Sequence, residues 1–216
     1  MSSACKVITQ PSIEPISLTD AKAYLRVDFP DDDAVIARMI VRARARAETL
    51  THRAFASQQI QQVVTIERPT GGTLSGPIVG GVNWYQFQEQ LGANPFGVAQ
   101  YYYDLSMPPV QASRPIVIQT KVTAFEDWTV FTGPTWIDDT QEPARLFVQD
   151  PVTSNFWMFQ YYAGYDPVYS YQAAPDALQA VYELVSYYYQ FREGGGNPAQ
   201  MQEIEAKLLS HRVDWI

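Results

Sequence analysis

Apolar residues first recur at steps of three and four, then alternate, then return to helical spacing. The first helical stretch opens at Ser17-Leu18-Thr19-Asp20. Ser17 can accept from the Asp20 amide, and Asp20 stands in the first turn, where the helix dipole favours an acid. Leu18, Ala21 and Leu25 share one face, and Phe29-Pro30 is expected to end the helix, because a residue before proline is pushed out of the α region. A second helix starts at Asp31-Asp32-Asp33. Its stripe is Ile36, Ile40, Ala43, Ala47 and Leu50, widened by Val35 and Met39. About 20 residues make it about 30 Å long.

From Gln58 to Arg68 the pattern alternates: Ile60, Val64 and Ile66 lie among Gln and Thr, which predicts a strand. Residues 69–100 are rich in Gly, Pro and Asn and read as a long protruding loop. Strands resume near Tyr101 and run in pieces over 115–124, 127–132, 145–149 and 156–163, where β-branched and aromatic residues gather. Pro175 suits the first position of a third helix, with Leu178, Val181, Val185 and Tyr188 inside. Glu193-Gly194-Gly195-Gly196 stops it. Asn197-Pro198 starts a fourth, whose narrow stripe is Met201, Ile204 and Leu208. The expected class is α+β: a small antiparallel helical bundle with an inserted β-rich region carrying long loops. Residues 1–57 and 168–216 make the bundle, and 58–167 the insertion.

Composition narrows the functions. The chain has 216 residues and is 46% hydrophobic and 18% charged, in the globular range. A net charge of −8 argues against gripping nucleic acid as the main task. An acidic wall beside passing DNA stays possible, because repulsion prevents sticking. The 14 Tyr suit either an assembly surface or a Tyr-rich β core. A single Cys5 excludes an intramolecular disulfide and a Cys-based zinc site. The opening MSSACKVITQ lacks a signal-peptide core, and no run of about 18 apolar residues predicts a membrane span.

No catalytic, cofactor or metal constellation emerges from the motifs. His52 and His211 stand in separate helical regions, and no phosphate-binding, zinc-protease or nucleophile-elbow motif occurs. The three aspartates at 31–33 splay apart at a helix start and lack calcium-loop spacing, so capping and stabilisation by the helix dipole explain them better. Arg38, Arg42 and Arg46, at i, i+4 and i+8, form one line on the second helix. That line can be a solvated face pairing with nearby acids, as Arg44 with Glu48; an ion-pair face between subunits; or a contact with DNA. Trp215 and Ile216 end the chain with two large apolar groups that dock either on the protein's own core or on a partner.

The residues also carry a resemblance. Residues 14–28, EPISLTDAKAYLRVD, followed by DDDAVIARMIVRARARAETLTHRAF and Gln58, resemble the opening of the gp6-like head–tail connector (adaptor) family of tailed phages, in its phiE125 gp8-like branch. Tyr161-Tyr162-Ala163-Gly164-Tyr165 resembles the family's last strand and turn. PDALQAVYELVSYYYQFREG resembles its third helix, ending here in Tyr189-Gln190-Phe191-Arg192-Glu193. The likeness covers residues 14–58 and 160–194; between them only pieces such as Met107-Pro108-Pro109-Val110 look familiar. It implies a non-enzymatic virion protein without cofactor, in a ring typically of twelve copies. The ring would sit between the portal protein and a downstream neck or tail protein, around passing double-stranded DNA and away from any membrane. It further implies portal contacts from Met201, Ile204, Leu208, Arg212, Trp215 and Ile216. Arg38, Arg42 and Arg46 would lie between subunits, and Trp84, Tyr85, Phe87 and Phe96 of the long loop would face the neck partner. A stopper or tail terminator, or a β-rich module gripping a ligand such as a carbohydrate through Trp84, Tyr85 and Trp136, are the alternatives.

Overall fold

Four helices arise at the helical spacings, and eight strands form, among the residues that the computed structural model describes, 2–65, 99–150, 154–166 and 173–213. In order these are β1 (Ser2–Thr9), α1 (Leu18–Leu25), α2 (Asp33–Thr51), β2 (Gln58–Thr65), β3 (Ala99–Asp104), β4 (Val117–Lys121), β5 (Thr129–Val130), β6 (Thr135–Asp138), β7 (Arg145–Asp150), β8 (Phe156–Ala163), α3 (Pro175–Gln190) and α4 (Pro198–Leu209). The class is α+β. The chain forms two compact units: Pro11–Gln58 with Ala163–Asp214 is helical, and Met1–Gln10 with Gln59–Tyr162 is built of strands.

In the helical unit, Ser17 caps α1 as expected, accepting the Asp20 N–H at 3.0 Å. The helix stops at Leu25, before Phe29-Pro30 has any part in it. Arg26 turns left-handed (φ 58°), and the Val27 N–H returns to the Lys22 carbonyl at 3.0 Å. Asp33 stands in the first turn of α2, where the helix dipole favours an acid, but the expected side-chain cap is missing. Asp32, at the N-cap, makes no capping bond; its carboxylate accepts from the Tyr189 hydroxyl at 2.5 Å and lies 3.7 Å from Arg192. Asp33 pairs with Lys22 at 2.5 Å. These acids therefore tie the start of α2 to α1 and to the end of α3.

The apolar stripe of α2 behaves as its spacing predicts: Ile36, Ile40, Ala43 and Ala47 are buried and Leu50 is partly so. On α3 the buried face is Ala177, Ala180, Val181, Leu184, Val185, Tyr187 and Tyr188, while Leu178 is half-buried. Gly164, φ 109°, closes β8 where a Cβ would stand 2.1 Å from the Ala56 carbonyl oxygen, so only glycine fits there.

The β unit holds a five-stranded sheet, β1-β2-β8-β4-β5, and a three-stranded sheet, β3-β7-β6. β1 and β6 are not announced by the hydrophobic pattern. β1 is an edge strand, antiparallel to β2, and most of its described side chains are exposed, so burial imposes no alternation. β5 shrinks to two residues of the expected 127–132. The sheets meet through aromatic rings: Tyr103 of β3 lies 5.6 Å from Trp157 and 4.9 Å from Phe159 of β8. Beside them, Gln62 of β2 accepts the Ser106 N–H at 2.9 Å and donates to the Asp104 carbonyl at 3.0 Å. The buried Tyr161 hydroxyl donates to the Ser106 carbonyl at 2.8 Å. The expected loop 69–100 lies almost wholly outside the described residues.

Candidate functional site

The arginine line on α2 is the charged feature with most to offer, and the four arginines there have separate fates. Arg44 turns inward and is 4% exposed. Its Nε donates to Glu14 at 2.7 Å and its Nη1 to Glu48 at 2.9 Å. Glu48 also accepts the Phe55 N–H at 3.0 Å and the Gln58 amide at 3.2 Å. Burial pushes the Glu48 carboxyl above its ordinary value, and Arg44 holds it down in part. The Arg44–Glu48 pair is thus a buried element of the fold, not the solvated pair that i,i+4 spacing suggests.

Arg38, Arg42 and Arg46 stay exposed along one line. Arg46 directs Nε and Nη2 to one oxygen of Glu205 on α4, at 2.9 and 2.6 Å. Arg42 lays its guanidinium 4.1 Å from the centre of the Tyr188 ring on α3. Arg38 has no ion-pair partner among the described residues. Between the three helices lies an open groove of about 460 Å³, lined by Arg42, Ala45, Arg46, Thr49, Tyr188, Met201 and Glu205. Burial raises the Tyr188 hydroxyl pKa, with Arg42 and Arg46 opposing, so the ring stays neutral beneath its cation. Such a groove offers an apolar floor and a basic rim, suited to an acidic, ring-bearing protein segment.

No protein-family model matches the chain, and no curated protein matches it in sequence. Solved structures do. A chain from the neck of an empty gene transfer agent (GTA) particle, computed with C6 symmetry, matches with TM-score 0.63 and 15% identity over 99% of this chain and 97% of that one. A chain from the virion of a native gene transfer agent particle matches with TM-score 0.63 and 16% identity, covering 98% and 96%. Another, from the neck of a native particle computed with C12 symmetry, gives 0.57 and 17%, covering 99% and 97%. The fold is that of a gene-transfer-agent particle chain. It is shared nearly end to end, so both units and the elements bearing the groove lie within the likeness. The gp6-like resemblance itself stands on residues 14–58 and 160–194 and not on a family match.

The remaining candidates fall into place as follows. Ile204 and Leu208, expected to face a portal, are buried at 4% and 0% in the bundle's own core, and Met201 packs against it. A stripe on the last helix of a small bundle closes that bundle first, so these side chains are not free to dock. Arg212 is exposed. The chain after α4 is pinned to the end of α2: the Val213 N–H reaches the Thr51 carbonyl at 2.9 Å, and Arg53 Nε reaches the His211 carbonyl at 2.6 Å. His52 faces the Val213 carbonyl at 3.2 Å, and His211 faces Asp176 at 2.9 Å. Trp215, Ile216, Trp84, Tyr85, Phe87 and Phe96 lie outside the described residues.

Trp136, 59% exposed, stacks on Phe147 at 5.0 Å, on the sheet face that also carries Tyr102. Sequence reasoning passed over the exposed Phe125, in the turn between β4 and β5. Its signal was an aromatic residue inside the polar run Thr123-Ala124-Phe125-Glu126-Asp127. Among the described residues, no group of three or more His, Cys, Asp or Glu could hold a metal ion, and no helix is long and apolar enough to cross a membrane.

Proposed function

We propose that this chain is a structural head–tail adaptor of a tailed phage or phage-like particle. Its copies form a ring that docks under the portal protein, extends the DNA channel and receives a downstream neck or tail protein. The observation that carries this reading is the fold shared over 99% of the chain with a chain from a gene transfer agent neck. The C6 and C12 symmetries of those necks support a ring, with twelve copies as the expected number. The protein works by complementary surfaces and performs no catalysis. It belongs to the virion neck and is made in the host cytoplasm.

A closed ring of identical copies needs a heterologous interface, two different faces on each chain that meet and close by rotation. Arg38 and Arg42, exposed and free of carboxylate partners among the described residues, suit one such face. The net charge of −8 opposes self-association of free copies and repels passing duplex DNA, which is expected to slide without sequence-specific contact. Portal contact falls to Arg212 and the terminal Trp215 and Ile216, the long-loop aromatics Trp84, Tyr85, Phe87 and Phe96 being assigned to the neck partner.

The test is to mix the purified chain with its cognate portal and examine the product by sedimentation and electron microscopy. A ring of added density below the portal supports the adaptor role and counts the copies. Absence of binding to an intact portal moves the protein to a stopper or tail-terminator position. A second reading, a β-rich ligand-binding module, draws on the exposed Trp136 stacked beside Phe147. Glycan binding that is lost in Trp136→Ala, with no ring formation, would favour it.

A further inference from the structure

The turn between β4 and β5 presents Phe125 at 100% exposure, in a setting built to hold it there. The Glu126 carboxylate accepts the Val122 N–H at 3.0 Å and the Thr123 N–H at 3.3 Å. Lys121 Nζ donates to the Ala124 carbonyl at 2.9 Å, and Asn155 Nδ2 to the Val122 carbonyl at 2.8 Å. Lys121 also sits 4.8 Å from the Trp128 ring. A turn tied at both flanks keeps the phenyl ring from folding back, so the ring is displayed at a standing cost in exposed apolar area. Val122 and Val130 beside it are 42% and 64% exposed. A phenyl ring can bury about 150–250 Å² when it finds a partner.

The same chain carries a matching seat. The α2–α3–α4 groove, about 460 Å³, has an apolar floor from Ala45, Met201 and Tyr188 and a rim of Arg42 and Arg46. On that rim two guanidinium groups face one carboxylate, Glu205. The turn itself carries two carboxylates, Glu126 and Asp127, against one ammonium, Lys121. Tip and groove are therefore opposite in net sign as well as convex and concave, and they belong to different units of the chain. We infer that the Phe125 turn of one copy seats in the α2–α3–α4 groove of the next. This rests on the ring reading and names its heterologous contact: a knob and a socket, both unspent within a single chain. It also gives the arginine line a role, with Arg42 meeting Glu126 and Asp127 across the interface.

Disulfide trapping in the full-length chain tests the contact. Cys5, the free exposed thiol, is first removed as Cys5→Ser. In that background, copies with Phe125→Cys are mixed with copies carrying Thr49→Cys in the groove, or Thr140→Cys on the β unit as a control, under mild oxidation. The expected result is a heterodimer with Thr49→Cys at several-fold higher yield than with the control, lowered again by adding Arg42→Glu to the groove copy. Equal yields with both overturn the contact. If native copies still ring the portal while the trapping yield stays at control level, the turn seats elsewhere and only this inference falls. If native copies neither ring the portal nor self-associate, and trapping stays at control level, the ring reading falls with it.

Discussion

Arg44→Met isolates the buried ion pair at the end of α2. In the native protein the Arg44 and Glu48 side chains are only 5% and 10% exposed, so little solvent screens them. Removing the guanidinium leaves Glu48 with the Phe55 N–H and the Gln58 amide, while Glu14, at 26% exposure, can turn to water. Breaking a buried pair by taking one partner costs about 3–5 kcal/mol, since the survivor is a charge without its counterion. The loss has a pH signature. Burial already raises the Glu48 carboxyl above its ordinary 4.5, and Arg44 is what restrains the rise. In the variant the folded-state pKa climbs further. A group raised in the folded state contributes stability that is full below its unfolded pKa and lost as pH rises through the folded value. The deficit against the native protein must therefore grow between about pH 5 and about pH 7.5. Urea unfolding followed by helical circular dichroism at both pH values measures it. Adding Glu48→Gln to Arg44→Met should return most of the loss at the higher pH. A deficit under about 1 kcal/mol, or one equal at both pH values, would refute the account of a desolvated, coupled pair.

Gly164→Ala forces a Cβ against the Ala56 carbonyl at a φ of 109°, and about 2–3 kcal/mol of strain should lower Tm by roughly 4–12 °C, read by calorimetry. Truncation after Val213 serves as the reference for the last turn of the helical unit. Truncation after Ser210 removes the Val213–Thr51 and Arg53–His211 bonds and a buried valine, and should cost about 2 kcal/mol; equal stability of the two truncations would show that the segment is not docked. Arg38→Glu, at an exposed residue without an ion-pair partner among those described, should shift unfolding by less than about 0.5 kcal/mol. It should still weaken ring formation in sedimentation, and a drop in Tm without any change in assembly would assign Arg38 to the fold.

The helices were legible because their burial is periodic. Ile36, Ile40, Ala43 and Ala47 report a face that one helix must hide, and local caps such as Ser17 and Asn197 act within three residues. The strands β1 and β6 were not legible because they lie at sheet edges and hide too little to write an alternation; what fixes them is a partner far away, as Val7 against Ile60 or Trp136 against Phe147. Asp33 does stand in the first turn of α2, but the cap expected of the acids at 31–33 misled for the same reason. Helix-start chemistry predicts a cap from local spacing, while Tyr189 and Lys22, brought in by the bundle, take those carboxylates instead.

The arginine line shows where sequence spacing stops being informative about role. Residues 38, 42 and 46 form one line by their spacing, and the register of α2 against its neighbours sends Arg44, off that line, into the interior. It spends Arg46 on Glu205, lays Arg42 on Tyr188 and leaves Arg38 without an ion-pair partner among the described residues. Only the last two retain charge for another molecule. The stripe on α4 is the converse: Ile204 and Leu208 look available because a short terminal helix has a narrow apolar face, but a bundle this small needs that face to close. A surface for assembly must then come from what the fold does not consume, which among the described residues includes Arg38, the groove around Arg42 and the Phe125 turn. Three unspent features of complementary shape and sign on one chain, rather than any single motif, are the physical basis for a copy-to-copy contact.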